Sequence, residues 1–331
     1  MVWELYKDVK ISKKNSEIKR RYSVTSDVLS YRRCARQYYY YSENGFVASL
    51  PNQIFIGTII HEVLDRAHGH YSGRRNPKTA GMIPTDKEIS DYFEEVENAL
   101  RTQGMRVPEK VKEYALGILT AFNRIEGPRL YPRVVDTEHR LQSDRGDYIL
   151  YGVVDVLVSD PNEPNQREIW DYKGTKKPDI NKTSGRRILA DYLFQMQVYA
   201  NLYKLRNNEY PKKAIIYFLG ELAGDHESTP ANAVLEVKLE EEQIVKALRE
   251  FEKTVGDIET SRENKSWPPP GDGSESASKE TCDICDMRWN CPVEMKNYPK
   301  RFLIHDFESR RGLCLHCYSI DEVISSKNFI H

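Results

Sequence analysis

Two predicted strands joined by a turn constrain the fold of this chain more than any other feature. The first runs from Tyr148 to Val158 and contains Asp155, and the second runs from Glu168 to Lys173 and contains Asp171. Residues two apart in a strand point the same way, so Asp171 and Lys173 share one face. The turn signal between the two strands makes them antiparallel neighbours. The pattern predicts a hairpin that carries charged side chains on otherwise apolar strands.

The acid of the first strand requires a partner, because its surroundings are apolar. We expect Asp155 to share a strand face with four apolar residues, Ile149, Tyr151, Val153 and Leu157. Two carboxylates that meet repel each other unless a cation lies between them, and hard oxygen ligands suit Mg²⁺ or Mn²⁺. Lys173 adds a positive charge that can orient water or stabilise a phosphate. The alternative is an exposed Asp171–Lys173 pair beside a buried, hydrogen-bonded Asp155.

Composition limits the class of protein. Charged residues make up 30% and hydrophobic residues 39% of the 331 residues, and the formal net charge is −1. No apolar run approaches the roughly 18 residues of a membrane helix, and the N-terminus has no signal-peptide pattern. We therefore expect a soluble, globular, cytoplasmic protein. The near-neutral charge neither favours nor excludes nucleic acid, because local basic patches such as Arg32-Arg33 matter more than the total.

The order of the predicted elements favours an α/β core with an inserted helical lobe. Thr85 to Glu88 forms a capping box before one amphipathic helix, and a second helix starts near Pro108 and stops at Gly127-Pro128. These helices lie in an insertion at about 66–132. The remaining predicted elements are strands at 134–142, 214–219 and 233–239 and helices at 189–205 and 244–258. A surface linker at about 261–280 follows.

Three cysteines, Cys282, Cys285 and Cys291, lie close together in the sequence and require a fourth ligand if they bind a metal. Cys34 is one candidate, and it would close a loop of roughly 250 residues, which restricts the unfolded chain. Four thiolates hold either zinc or an iron–sulfur cluster. The alternative is a zinc ribbon of Cys282 and Cys285 with Cys314-Leu315-His316-Cys317, which leaves Cys34 and Cys291 as ordinary thiols. Spacing does not choose between the two arrangements, and a disulfide framework is not expected.

Five short motifs occur in one order and together resemble the RecB-like branch of the PD-(D/E)XK nucleases, in its iron–sulfur form. The resemblance covers roughly residues 22 to 295. The branch includes the nuclease domains of RecB and AddB and the CRISPR adaptation nucleases. The motifs are Ser26 to Cys34 with Tyr38 to Tyr41, Gly57 to His61, Gly152 to Asp155, Asp171 to Lys173, and Gln195 to Tyr199, followed by the three-cysteine spacing.

The resemblance implies a restriction-endonuclease-like fold with a mixed central sheet flanked by helices. It implies a metal site for Mg²⁺ or Mn²⁺ with Lys173 as a catalytic residue; the ligands are His61, Asp155, Asp171 and the backbone carbonyl of Tyr172. It also implies a [4Fe-4S] cluster, which favours Cys34 as the fourth ligand of a set with Cys282, Cys285 and Cys291. Residues 1–295 would form the nuclease domain, with a cluster segment at 282–292, and residues 296–331 a tail of unknown role.

The substrate-facing residues of this motif set have simpler explanations as well. Gln195 and Tyr199 lie four apart on a helix and can both touch a phosphate or a base, or they can form an ordinary polar helix face. His61 can bind metal, or it can bond to Asp65 one turn later. The tyrosine run Tyr38 to Tyr41 beside Arg32-Arg33 can stack on bases, or it can pack against the cysteine segment.

The predicted function is a metal-dependent DNA exonuclease that acts on single-stranded DNA or DNA ends in repair, recombination, defence or CRISPR adaptation. A helicase or a CRISPR or defence protein is a possible partner, and no membrane is involved. One alternative is a DNA-binding subunit of such a complex with little activity of its own. Another is a metal-stabilised interaction protein that does not bind DNA; salt-sensitive DNA affinity would exclude it.

Overall fold

The computed structural model describes residues 19–48, 51–268, 277–288 and 291. The predicted tail at 296–331, with Cys314 and Cys317, lies outside these residues, as does part of the predicted linker, 269–276. The strands are β1 (Arg20–Ser23), β2 (Val134–Asp144), β3 (Tyr148–Ser159), β4 (Arg167–Lys173), β5 (Lys213–Phe218) and β6 (Val234–Val237). The helices are α1 (Ser30–Arg33), α2 (Ala35–Tyr38), α3 (Pro51–Tyr71), α4 (Asp86–Thr102), α5 (Glu109–Leu130), α6 (Thr183–Asn207), α7 (Glu241–Glu263) and α8 (Lys279–Asp283).

One mixed, six-stranded sheet forms the centre of the fold, as the sequence predicts. Its order is β1-β3-β4-β5-β6, and β2 pairs with β3 as well. The β2–β3, β3–β4 and β5–β6 pairs are antiparallel, whereas β1–β3 and β4–β5 are parallel. The parallel step from β4 to β5 is made through α6, the usual crossover for parallel neighbours. The predicted fold class, an α/β sheet flanked by helices, is confirmed.

Helices cover both faces of this sheet and form two separate cores. On one face, α6 and α7 pack with Leu150, Ile169 and Ile216. On the other face, α3, α4 and α5 pack with Val156, Trp170 and Tyr217. Within the lobe predicted at about 66–132, α5 meets the sheet, because the Phe122 ring lies against the rings of Tyr172 and Tyr217, whereas α4 packs on α3 and α5. Its capping box at Thr85 and Glu88 is present, and the helix that follows buries its apolar face.

The edge of β3 that faces β4 is paired only at its two ends. β1 pairs with residues 148–151 of β3, and β4 pairs with residues 156–159. The intervening residues, Gly152 to Asp155, have no strand beside them on this edge among the described residues. A short gap in the sheet therefore lies within the Gly-x-x-Asp motif.

The β2–β3 ribbon turns over at this gap, which corrects the predicted face of Asp155. In β3, Val154 packs in the α6–α7 core, yet Val156 packs in the opposite core, although both would share a face in a regular strand. In β2, Thr137 contacts Asp65 of α3, whereas Leu141 packs in the α6–α7 core. The simple alternation that grouped Asp155 with Ile149, Tyr151, Val153 and Leu157 therefore does not hold along the strand.

Two other predictions differ from the structure. The helix predicted to stop at Gly127-Pro128 continues to Leu130. Pro128 costs the helix one backbone hydrogen bond, but it lies in the last turn, where few further bonds depend on it. The parallel strand β1 was not predicted, because its four residues are too few to show a periodicity. No helix in the described part of the chain is long and apolar enough to cross a membrane.

Candidate active site

Asp155 occupies the point at which β3 and β4 stop pairing. The last paired residues are Val156 and Trp170, so Asp155 and Asp171 would form the next pair. Instead, the main-chain N–H of Tyr172 donates to Asp155 Oδ2 at 2.7 Å. The carboxylate therefore takes the place of a strand carbonyl and directs β4 away from β3. This substitution opens the sheet where the predicted acids lie.

Asp171 and Lys173 lie side by side on β4, as the strand periodicity predicts. Lys173 Nζ is 2.6 Å from Asp171 Oδ2, and Gln195 bridges the pair from α6. Gln195 Nε2 donates to Asp171 Oδ1 at 2.8 Å, and Lys173 Nζ donates to Gln195 Oε1 at 3.0 Å. The Lys173 ammonium also lies 4.6 Å from the centre of the Tyr192 ring. The pair is largely buried, so it is not the exposed cross-strand pair of the alternative interpretation.

The Tyr199 ring packs against β3 at Gly152, within the Gly-x-x-Asp motif. A Cβ atom at Gly152 would come within 2.6 Å of Tyr199 Cε1, so only glycine allows the ring to lie there. Burial raises the pKa of the Tyr199 hydroxyl, while hydrogen bonds from Gln195 and from the main chain of Val153 oppose that shift. The hydroxyl thus satisfies a strand edge that has no neighbouring strand. Gln195 and Tyr199 are both buried and face the site, rather than forming an exposed polar helix surface.

His61 reaches the site from α3, on the opposite side of the sheet from α6. Its Nδ1 atom lies 3.4 Å from Asp155 Oδ2. The alternative partner, Asp65, is engaged elsewhere, because it accepts hydrogen bonds from Arg74 at 2.6 Å and from Thr137. Burial lowers the pKa of His61, with Asp171 opposing this shift most strongly. The imidazole is therefore neutral at neutral pH, which is the form that binds metal ions.

Glu138 is a site residue that the sequence reasoning missed. One ligand atom from each of His61, Glu138 and Asp155 lies within 4.8 Å of the others. In the β2–β3 register, Thr137 pairs with Val156 and His139 with Val154, so Glu138 lies opposite Asp155. The predicted turn near Gly146 and the lengths of the two predicted strands determine which residues pair. Pairing the strands through this turn would have placed Glu138 opposite Asp155.

The electrostatics of the acids follow from their burial. Burial and the neighbouring charge of Asp171 raise the pKa of Asp155 well above its ordinary value, despite the opposing effect of Lys173. Burial alone would lower the pKa of Lys173, but the charges of Asp171 and Asp155 together raise it. Lys173 therefore keeps its positive charge, and the two acids repel each other across the gap.

A family model described as the PD-(D/E)XK nuclease superfamily matches residues 22–292, a span that contains every element of this site. The chain belongs to the PD-(D/E)XK nuclease superfamily. This membership supports a nuclease, and nucleases of this superfamily use divalent metal ions.

Solved structures give distant matches. The crystal structure of SSO0001 has 14% sequence identity and a TM-score of 0.38; the alignment covers 83% of this chain and 87% of that chain. A protein from Eubacterium rectale described as "Putative exonuclease" has 13% identity and a TM-score of 0.48, with 88% and 93% covered. Among curated proteins, none is significantly similar in sequence.

The residues of this PD-(D/E)XK site fit a divalent cation. Asp171 Oδ2 is buried and has no hydrogen-bond partner within the described residues, although Lys173 Nζ is close to it. Lys173 Nζ, 2.6 Å away, forms an ion pair with this oxygen, which keeps a further lone pair. A buried carboxylate oxygen with spare coordination, near a second carboxylate and a neutral imidazole, is a donor set suited to Mg²⁺ or Mn²⁺.

The cysteine segment of this PD-(D/E)XK chain lies beside the N-terminal helices. Burial raises the pKa of the Cys34 thiol, with smaller contributions from Cys285 and Cys291, which are close in space. Tyr41 joins the segments, because its hydroxyl donates to Asp286 Oδ2 and accepts from the Asp286 N–H, both at 3.0 Å. Cys282 is buried. The structure thus brings Cys34 to the three-cysteine segment across most of the chain.

The tyrosine run packs within this region. Tyr38 is buried and donates to Asp27, and Tyr39 stacks on Trp267 with ring centres 5.4 Å apart. Of the basic residues beside it, Arg32 lies 3.4 Å from Glu250. These contacts favour the packing interpretation of the tyrosines over an open surface for stacking bases.

Proposed function

We propose that this protein is a RecB-like, metal-dependent deoxyribonuclease that acts as an exonuclease on single-stranded DNA or DNA ends. One observation carries the proposal: Asp155, Asp171, Lys173 and His61 converge where β3 and β4 separate. In phosphodiester hydrolysis, buried acids that repel each other can bind a metal ion, and a lysine that stays charged can stabilise the phosphate. The same arrangement would be unfavourable as a purely structural feature.

The roles of the side chains follow from their positions. Asp155, Asp171, His61 and the Tyr172 carbonyl would hold Mg²⁺ or Mn²⁺. When bound, the cation supplies Lewis-acid polarisation of a phosphate oxygen and lowers the pKa of water. The Lys173 ammonium would stabilise the negative charge that develops on the phosphate as the bond to the attacking water forms and the bond to the leaving oxygen breaks.

Gln195 and Tyr199 would act beside these residues. Gln195 holds Asp171 and Lys173 at fixed positions through its two hydrogen bonds, so one function of Gln195 is to position the catalytic lysine. Tyr199 packs on β3 at Gly152, next to the gap. Both can also contact the substrate, since they lie next to the charged groups that would bind its phosphate.

A [4Fe-4S] cluster bound by Cys34, Cys282, Cys285 and Cys291 is the second part of the proposal. It is supported by the packing of Cys34 beside Cys285 and Cys291 and by the Tyr41–Asp286 contacts. The cluster would join the N-terminal helices to the segment at 282–292 within a nuclease domain of residues 1–295. A role in repair, recombination, defence or CRISPR adaptation, with a helicase or defence partner, remains part of the proposal, and the cytoplasmic location remains a prediction.

The nuclease proposal is tested with end-labelled single-stranded, double-stranded and circular single-stranded DNA. Anaerobically purified protein is incubated with Mg²⁺ or Mn²⁺ beside Asp171→Ala, Lys173→Ala and, as a matched control, Lys182→Ala, which removes an exposed charge from the start of α6. We expect linear single strands to be degraded and circles to survive, with both site variants inactive and the control active. Intact DNA with every metal, while DNA binding persists, would instead identify a binding subunit.

The cluster is tested by metal analysis and visible absorbance of the same anaerobic preparation. About four iron atoms per chain and a broad absorbance band at the blue end of the visible spectrum would support the proposal, provided that Cys34→Ser loses both. Stoichiometric zinc in a colourless protein would favour the zinc site instead. This outcome would leave the nuclease proposal untouched, because the two sites use different residues.

A further inference from the structure

We propose that Glu138 is a further ligand of the divalent cation, so that the cation is bound from β2 as well as from α3 and β3. The inference rests on the proposed metal-dependent function and adds to it a residue that lies outside the motifs of the sequence. Glu138 lies opposite Asp155 in the β2–β3 ribbon and is exposed at the rim of the site.

The geometry suits a shared ion. Atoms from His61, Glu138 and Asp155 lie within 4.8 Å of one another. Two ligands of one octahedral ion at about 2.1 Å are roughly 3 Å apart when adjacent and roughly 4 Å apart when opposite. Small side-chain rotations would therefore place all three atoms around one ion. The three residues come from three different elements, α3, β2 and β3, which fixes their relative positions.

The backbone of Glu138 is unusual for a strand. Its φ angle is +49°, in the left-handed region that favours glycine. This is the residue at which β2 turns over between Thr137, which faces α3, and Leu141, which faces α6. Glycine would adopt this conformation with less strain. A glutamate at this position therefore costs stability relative to glycine.

Glu138 and Asp155 are two acids that meet at the rim of the site. One carboxylate oxygen of each lies within 4.8 Å of the other, so their negative charges repel. Lys173 is held by Asp171 and Gln195. A cation between Glu138 and Asp155 would remove this repulsion.

A second observation points to the same ion. Asp171 is buried, and its Oδ2 atom has no partner with hydrogen-bond geometry among the described residues, although the Lys173 ammonium lies 2.6 Å from it. A carboxylate oxygen has two lone pairs, so this atom can bind an ion in the interior beside Lys173, while Glu138 offers an oxygen at the exposed rim. The exposed rim provides the path by which an ion enters.

The test is calorimetric titration of Mn²⁺ into metal-free, anaerobically purified protein in the absence of DNA. Glu138→Gln keeps the shape of the side chain and removes its charge, and we expect it to weaken Mn²⁺ binding at least tenfold. Glu62→Gln is the matched control, since Glu62 is an exposed acid that also acts on the charge of His61 but lies outside the ligand group. We expect less than a threefold change from the control.

A second variant separates metal binding from folding. Glu138→Gly should weaken Mn²⁺ binding as Glu138→Gln does, yet raise the melting temperature of the metal-free protein because it relieves the positive φ angle. Equal weakening by Glu62→Gln and Glu138→Gln would overturn the inference in favour of a through-space charge effect. Unchanged binding in both Glu138 variants would overturn it too.

Asp155→Asn distinguishes this inference from the proposal on which it rests. If Asp155→Asn weakens Mn²⁺ binding and the Glu138 variants do not, only the role of Glu138 is wrong. If the wild-type protein binds no Mn²⁺, or Asp155→Asn binds it equally well, the metal site of the proposed function fails as well.

Discussion

Asp155 Oδ2 accepts the main-chain N–H of Tyr172 at 2.7 Å, and this single contact replaces the strand pairing that ends one residue earlier. It places a carboxylate inside the sheet, where its negative charge is costly. The metal-free site therefore carries unfavourable electrostatic energy.

Asp155→Asn should stabilise the metal-free protein at neutral and alkaline pH. Folding raises the pKa of Asp155 well above its ordinary value of 3.8. Its protonated form thus contributes stability that is fully present below pH 3.8 and is lost as the pH rises through the raised pKa. Asparagine can still accept the Tyr172 N–H but never ionises, so the variant should gain roughly 1 to 3 kcal/mol at pH 8.

Thermal unfolding at several pH values, with a chelator and then with Mn²⁺, measures this effect. The difference between Asp155→Asn and wild type should shrink as the pH falls toward 4. Added Mn²⁺ should raise the melting temperature of the wild type more than that of the variant. If the variant melts below the wild type at pH 8 without metal, ionised Asp155 does not destabilise the metal-free protein, and the prediction is wrong.

Gln195→Ala should lower the rate of DNA cleavage by about 10- to 100-fold, because residues that orient metal ligands typically have effects of this size. The substitution removes both hydrogen bonds that bridge Asp171 and Lys173. Gln197→Ala is the control, since Gln197 is also buried on α6 but donates to the Lys238 carbonyl. That variant should lose about 1 kcal/mol of stability and keep its activity. Equal rates in the two variants would show that the bridge is not needed.

Gly152→Ala should destabilise the protein by about 1 to 3 kcal/mol, because the added Cβ would overlap the Tyr199 ring. Chemical denaturation measures the loss. Gly117→Ala in α5 provides the opposite case, since a Cβ there meets nothing within 4 Å and alanine favours a helix by about 1 kcal/mol. If both substitutions stabilise the protein, Tyr199 does not pack against β3 in solution.

Tyr41→Phe should loosen the cysteine segment while leaving the sheet intact, because it removes both hydrogen bonds to Asp286. We expect cleavage by a protease near residues 277–291 to be several-fold faster than in wild type and any visible absorbance to decay faster in air. Tyr210→Phe serves as the control, because the Tyr210 ring lies under Lys204 at the C-terminal end of α6. Identical proteolysis of all three proteins would assign no docking role to Tyr41.

The sequence predicts most of the sheet, because the alternation of apolar residues and the turn signals reflect local physics. Asp171 and Lys173 share a face as the two-residue period requires, and the capping box at Thr85 is present. The period fails at Asp155, where a left-handed Glu138 in the neighbouring strand turns the ribbon over. A single residue with an unusual φ angle leaves no periodic signal, so neither the reversal nor the role of Glu138 could be read from apolar spacing.

The approach of His61 to Asp155 likewise depends on tertiary packing. Helix α3 lies on one face of the sheet and α6 on the other, and the gap in β3 allows groups from both layers to meet. Local sequence rules describe each helix layer alone. In the sequence, only the order of the motifs, through the family resemblance, indicates that His61 and Asp155 belong to one site.

The contacts between the N-terminal strand and α7 have a consequence for synthesis of the chain. Tyr22 bonds to Glu259, and Arg262 binds both Glu43 and Tyr22. A ribosome releases residues 20–43 long before it makes residues 259–262, so the contacts of Tyr22 and Glu43 with α7 form late in synthesis. Because β1 borders the gap in β3, a partly synthesised chain would hold this wall of the site without the support of α7. The site would therefore reach its final form only after α7 has left the ribosome.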